Sequence, residues 1–133
     1  MNGTTTQIGR YGEDIAAAHL IENGFSITLR NYHQGHNEID IIAENDRYII
    51  FVEVKTRSCI DPSVPSPYGR PSRAVTMEKR RRTLTAARMY LHTHPQGDKI
   101  ARMDVIEIYL KHENNEQPRV LKLNWIPNAY RKK

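Results

Sequence analysis

Asp40, Glu53 and Lys55 form a D-x12-E-x-K series inside a largely apolar run, N-E-I-D-I-I-A-E-N-D-R-Y-I-I-F-V-E-V-K-T-R, from Asn37 to Arg57. Two carboxylates and an ammonium so placed suit a hard divalent cation such as Mg²⁺ or Mn²⁺. Such ions take a few carboxylate oxygens, then carbonyl and water oxygens. Asp40 and Glu53 can supply the first and the Val54 carbonyl the second, with Glu38 or Glu13 completing the shell through water. The ion would turn water into a nucleophile near neutral pH and neutralise charge on a phosphate. Lys55, on the same strand face as Glu53, can hold that water or a non-bridging phosphate oxygen. The plainer reading is a set of paired charges at a sheet edge, with Lys55 bridging Glu53. Against it, the triplet closes an apolar strand, F-V-E-V-K, and Asp40 lies among isoleucines, where a carboxylate without a partner is costly.

The element that positions these groups is a hairpin. Alternation puts Glu38, Asp40 and Ile42 on one face of the first arm, Glu38–Ala43, and Ile39, Ile41 and Ala43 on the other. The second arm, Tyr48–Lys55, puts Ile49, Phe51, Glu53 and Lys55 on one face. Asn45 and Asp46 fit the turn. If Glu44 opposes Arg47, Glu38 falls opposite Glu53, Asp40 falls opposite Phe51, and Asp40 and Glu53 are diagonal neighbours.

Around the hairpin, residues 4–23 read as a helix with Ile8, Tyr11, Gly12, Ile15, Ala16, His19 and Leu20 on its apolar stripe and Glu13 at the margin. Gly24 closes it as a C′ residue. Phe25–Tyr32 is a half-buried strand. Ser58–Arg73 carries four prolines and no periodicity, a loop able to flap over the carboxylates. Residues Thr76–Leu91 form a second helix with Leu84, Ala87 and Leu91 on its core face. Its cations Lys79, Arg80, Arg81, Arg82 and Arg88 suit phosphate contact. Ala101–Leu110, apolar on both faces, belongs inside a sheet, and Val120–Ile126 is a last strand before a basic tail. Helix, three strands, helix, two strands is an α/β sandwich with helices on a mixed sheet.

Composition narrows the partners. The chain has 133 residues, read as one domain, with a net charge of +5 and a pI of about 9.5, which favours polyanions. Its single cysteine, Cys59, excludes an internal disulfide and a CxxC zinc site and suits a reducing cytoplasm. No apolar run approaches the ~20 residues of a membrane helix. His33, His36, His92 and His94 lack the spacing of a zinc site. Tyr68, Tyr90 and Trp125 could stack on bases, although such aromatics more often fill cores.

The joint pattern resembles a known family. G-R-Y-G-E-D-x-A-A-x-x-L from Gly9, R-N at Arg30 and Asn31, E-I-D-I-I from Glu38, F-V-E-V-K-T-R from Phe51 and R-M-D-V from Arg102 resemble the YraN-like family of small bacterial proteins. That family looks like the PD-(D/E)xK nuclease superfamily, with its restriction-endonuclease-like fold, and is similar to archaeal Holliday-junction resolvases. The resemblance implies a three-layer sandwich around a five-stranded mixed sheet. It also implies Glu13, Asp40 and Glu53 as metal ligands, Lys55 as catalytic lysine, Glu38 and Arg57 as near-site residues and Lys79 as an accessory. Two positions depart from the family: Asn37 stands where glycine is usual, and Met77 where a helix-starting proline is common. The resolvases act as dimers, which suggests a homodimer here.

Two readings follow. The preferred one is a metal-dependent nuclease acting on nucleic acid, DNA foremost, with the basic helix and tail gripping the backbone. The alternative is a non-catalytic nucleic-acid-binding protein on the same fold.

Overall fold

The computed structural model describes residues 5–58, 77–111 and 118–130, with side chains from Ile8 onward. Seven elements follow one another: α1 (Thr5–Glu22), β1 (Ser26–Gln34), β2 (Asn37–Glu44), β3 (Tyr48–Ser58), α2 (Met77–Thr93), β4 (Ile100–Lys111) and β5 (Arg119–Ile126). This is the order that periodicity predicts. The expected loop beyond Ser58, with Cys59, Tyr68 and Thr76, residues 112–117 of a charged turn expected over Lys111–Pro118, and the end of the basic tail lie outside the described residues.

The strands form one sheet in the order β1-β2-β3-β4-β5. Only β3 and β4 run parallel; the other pairs are antiparallel. A parallel pair needs a crossover of a dozen residues or more, and α2 lies within it. The result is a mixed α/β fold with two helices, one on each sheet face. On one face Ala16, Ala17 and Leu20 of α1 pack with Ile41, Ala43, Ile50, Val52, Ile106 and Ile108. On the other, Ala86, Ala87 and Tyr90 of α2 pack with Ile39, Ile42, Ile49, Phe51, Met103 and Val105. Each fully buried large side chain contributes about 1.5–3 kcal/mol. β4 lies inside the sheet, as its two apolar faces require.

The hairpin register differs from expectation. Glu44 pairs with Ile49, Ala43 with Ile50, Ile42 with Phe51 and Ile41 with Val52. Phe51 therefore faces Ile42 and not Asp40. The ladder ends at Ile41–Val52, and the next residue, Asp40, reaches the Val54 N–H with its side chain, where a diagonal arrangement with Glu53 was expected. The cause is local. The Asn45 side chain accepts the N–H groups of Arg47 at 2.9 Å and Tyr48 at 2.8 Å, so the reversal centres on Asp46 and Arg47. A shift of two leaves every β3 residue on its expected face.

Alternation breaks once in β2. Ile39 packs with Ile42 on the α2 side, not with Ile41 and Ala43. Opposite this point β1 carries Asn31 at φ 55°, between the pairs Arg30–Ile41 and Tyr32–Ile39. Asparagine tolerates this left-handed conformation better than most residues, and the β1–β2 ribbon turns over there. Asp40 is the residue at the turnover.

Two further contacts set the helices. A Cβ on Gly12 would collide with the Thr56 side chain, so glycine lets α1 lie close on β3 and fixes Glu13 beside it. At the other end of α1, Gly24 has φ 90° and Phe25 N–H reaches the Leu20 carbonyl at 3.0 Å, the expected glycine stop. The face of α2 is rotated from the expected one: Thr83, Ala86, Ala87 and Tyr90 are buried, while Leu84 and Leu91 are only partly so. Tyr90 meets Tyr32 and Phe51 edge-on, with centroids 5.4 and 6.0 Å apart, and this turns the line 79–83–86–90 toward the sheet.

Candidate active site

An open cavity of about 500 Å³ lies between α1, the far half of β3 and the start of α2, with Glu13, Asp40, Glu53, Lys55 and Lys79 on its walls. Each comes from a feature just described: the ribbon turnover supplies Asp40, the β3 alternation Glu53 and Lys55, the Gly12 contact Glu13, and the rotated α2 Lys79.

The Asp40 carboxylate accepts the Val54 N–H at 2.8 Å, taking a backbone donor with its side chain where the paired register has ended. Burial raises its pKa from 3.8 to about 8, and the Glu53 charge adds to this. The Val54 N–H opposes the shift and the Glu13 charge reinforces it. Glu53 is 2 % exposed. Its Oε1 pairs with Lys79 Nζ at 2.8 Å and Lys55 Nζ at 3.1 Å. Its Oε2 is buried without a donor, while the Asp40 carboxyl is close enough to share a proton with Glu53. Burial is the strongest influence on the Lys79 charge and works against it, but the bond to the Glu53 carboxylate and the charges of Glu53, Asp40 and Glu38 together hold the ammonium above its usual pKa. Crowded carboxylates of this kind require a proton or a cation between them.

The structure thus brings together Asp40, Glu53, Lys55 and Lys79, with Val54 between them in sequence. Glu13 stands on the wall, paired with Arg30 at 3.5 Å, and Arg30 is held more tightly by Asp14 at 2.8 Å. Among the described residues no group of three or more His, Cys, Asp or Glu is set to hold a metal ion, so the three-carboxylate ligand set implied by the resemblance is not assembled. Glu38 lies outside, 3.7 Å from His33, on a smaller pocket with His36, Lys79 and Arg82. Arg57 lines the main cavity, its Nε buried and without a partner.

The arginines of α2 divide. Arg81, Arg82 and Arg88 are exposed, with Arg82 3.6 Å from Glu78. Arg80 is half-buried, with its guanidinium 5.2 Å over the Tyr130 ring, and is less open to solvent than these three. Tyr90 and Trp125 are core aromatics, Trp125 lying edge-on to His19 and Phe25. His94 stacks on Tyr90 with centroids 4.2 Å apart.

The family model for the uncharacterised protein family UPF0102 matches residues 12–108. The chain belongs to UPF0102, the YraN-like family. It is 42 % identical to a UPF0102 protein of Chlorobium phaeobacteroides over 92 % of this chain and 93 % of the relative. A relative in Caldicellulosiruptor bescii is 38 % identical over 93 % and 97 %, and one in Clostridium perfringens 37 % identical over 93 % of both. These relatives carry the family designation alone, so the chemistry rests on the site.

The UPF0102 match runs from Gly12, at the α1–β3 contact, to Ile108 and covers the cavity wall apart from Ile8 and Gly9. Sequence reasoning missed three buried groups. Asp104, within the R-M-D-V motif, takes Arg102 at 2.9 and 2.8 Å, Trp125 Nε1 at 2.8 Å and the Asn128 N–H at 2.9 Å. Tyr130, beyond the match, is buried against α2, and burial pushes its phenol up to about 12. Glu107 is 4 % exposed on β4. The signal for Asp104 and Glu107 was an acid inside a strand apolar on both faces; nothing local marks Tyr130. Among the described residues no helix is long and apolar enough to cross a membrane.

Proposed function

We propose that this UPF0102 protein is a metal-dependent nuclease that hydrolyses a nucleic-acid phosphodiester, its mixed α/β sandwich being of the restriction-endonuclease-like kind. The observation that carries this reading is the pairing of Asp40 and Glu53, a buried oxygen of Glu53 having no donor and two lysines crowding the other. A structural ion pair does not need a second, half-buried carboxylate beside it.

The residues fit a hard cation of the Mg²⁺ or Mn²⁺ type. Such ions bind through one or two carboxylates plus waters and substrate phosphates, so the lack of a third acid is no obstacle. Asp40, Glu53 and the Val54 carbonyl would hold it, with Glu13 left to Arg30. When bound, the ion activates water and offsets charge on the phosphate. Lys55 and Lys79 then offer ammonium groups to phosphate oxygens and the reacting water, at a point where charge develops. Arg57 brings a further cation to the same cavity. Arg81, Arg82 and Arg88 face solvent on α2 and supply the grip on flanking phosphates, in keeping with the net charge of +5.

One observation favours the second reading, a nucleic-acid-binding protein without catalysis. Lys55 and Lys79 both sit on Glu53, an arrangement that neutralises the acid without a metal. The deciding experiment incubates the protein with Mg²⁺ or Mn²⁺ and labelled branched, duplex and single-stranded DNA and RNA, with Asp40→Asn and Lys55→Ala beside it. The nuclease reading predicts cleavage by the wild type that both variants lose. Salt-sensitive binding without cleavage in all three proteins would select the binding module.

A further inference from the structure

Glu107 of β4 lies outside the proposed catalytic set, yet it neighbours Lys55. The two are level in the parallel β3–β4 ladder, and Glu107 is level with Asn124 of β5. The three side chains therefore form one row across the α2 face of the sheet, next to the row that holds Glu53, Val105 and Ile126. Adjacent strands lie about 4.8 Å apart, a span that a lysine side chain crosses easily.

Glu107 is 96 % buried but poorly satisfied. Asn124 Nδ2 reaches its Oε1 at a long 3.3 Å, and its Oε2 is buried with no donor. Lys55 thus stands between two buried glutamates, one two residues back on its own strand and one a strand away. Each has an oxygen without a donor. In this structure the ammonium lies on Glu53, at 3.1 Å. That placement suits Glu53 as an ion-pair partner. It opposes Glu53 as a ligand of a divalent cation, because two positive charges would then compete for one carboxylate. An ammonium this enclosed cannot simply be released, since burial without a partner is costly. It needs a second acceptor within reach.

We propose that Glu107 is that acceptor, a positioning residue that takes over the Lys55 ammonium when Glu53 turns to a divalent cation. The inference rests on the metal reading above and adds to it a route by which Glu53 sheds one of its two ammonium partners, Lys79 keeping its place. Asn124 holds the Glu107 carboxylate from the far side, leaving Oε2 for the lysine. Lys55 then ends displaced along its row.

The test is a double-mutant cycle read by calorimetric titration with Mn²⁺, on wild type, Glu107→Gln, Lys55→Met and the double variant. Glu107→Gln should weaken Mn²⁺ binding about ten-fold, the scale of one charged hydrogen bond. In the Lys55→Met background the same change should matter by less than about two-fold. Equal loss in both backgrounds would mean that Glu107 acts on the cation directly and would overturn the proposal, as would no loss in either. Glu107→Asp, measured alongside, should show the same dependence on Lys55 at smaller amplitude, which keeps the test decisive if the glutamine variant fails to fold. Wild type that binds no Mn²⁺ defeats the metal reading and this inference together; wild type that binds while Glu107→Gln is unaffected defeats the inference alone.

Discussion

Two buried acids on neighbouring strands, Asp104 of β4 and Glu53 of β3, are treated in opposite ways. Asp104 is fully buried, and both its oxygens are engaged by the Arg102 fork, the Trp125 ring N–H and the Asn128 backbone N–H. Arg102 is itself packed 4.6 Å over the Tyr48 ring. Glu53 is almost as buried, but two ammonium groups crowd one oxygen, the other has no donor, and a second carboxylate adjoins it. The first acid ties β4 to β5 and the segment after it. The second is left short of partners beside an open cavity. A fold that satisfies one buried carboxylate completely can satisfy another. The shortfall at Glu53, which Glu107 on the next strand shares, lies beside the open cavity, and the proposed chemistry rests on it.

Four predictions bear on that contrast. The largest effect concerns chemistry: Asp40→Asn should lower metal-dependent cleavage by about a thousand-fold, roughly 4 kcal/mol of barrier, in a gel assay, while its melting temperature does not fall. Asp104→Ala should do the reverse of this. It leaves the Arg102 charge and the Trp125 N–H unpaired, costing about 3 kcal/mol, which is roughly 10 °C in a thermal melt.

Third in size is a pH effect. Asp40 ionises near 3.8 when unfolded and at about 8 when folded, so between these values the native state holds the extra proton. Its contribution to stability is complete below pH 4 and is lost as pH rises toward 8. Chemical denaturation of metal-free protein should accordingly find Asp40→Asn more stable than wild type by about 2 kcal/mol at pH 8.5, and the gain should shrink toward pH 5.

The smallest effects separate the arginines of α2. Arg81→Ala and Arg88→Ala should each reduce the slope of log affinity against log salt for nucleic acid by about 1. Arg80→Ala should leave that slope alone and cost about 1 kcal/mol of stability through the lost contact with Tyr130.

The contrast also shows what a sequence discloses. The order of elements and the nearness of Asp40, Glu53 and Lys55 were legible because alternation, helical spacing and turn residues are local. The hairpin register was not: it depends on which residue caps the turn, and Asn45 does so with its side chain. The turnover at Asp40 needed Asn31 to adopt a positive φ on a different strand. Lys79 reaches Glu53 because Tyr90 rotates α2 against Tyr32 and Phe51, and only the family resemblance pointed to it. Glu107 meets Lys55 across a parallel pair joined through α2, a distance along the chain that no spacing rule spans. The resemblance in turn placed Glu13 among the ligands; it stands on the cavity wall, 3.5 Å from Arg30.

The central claim is that Asp40 and Glu53 stand together to receive a divalent cation. Calorimetric titration of metal-free protein with Mn²⁺ tests it most directly, before any substrate is known. The account predicts one site per chain that Asp40→Asn abolishes. Absent binding, or binding of equal strength in Asp40→Asn, would contradict it.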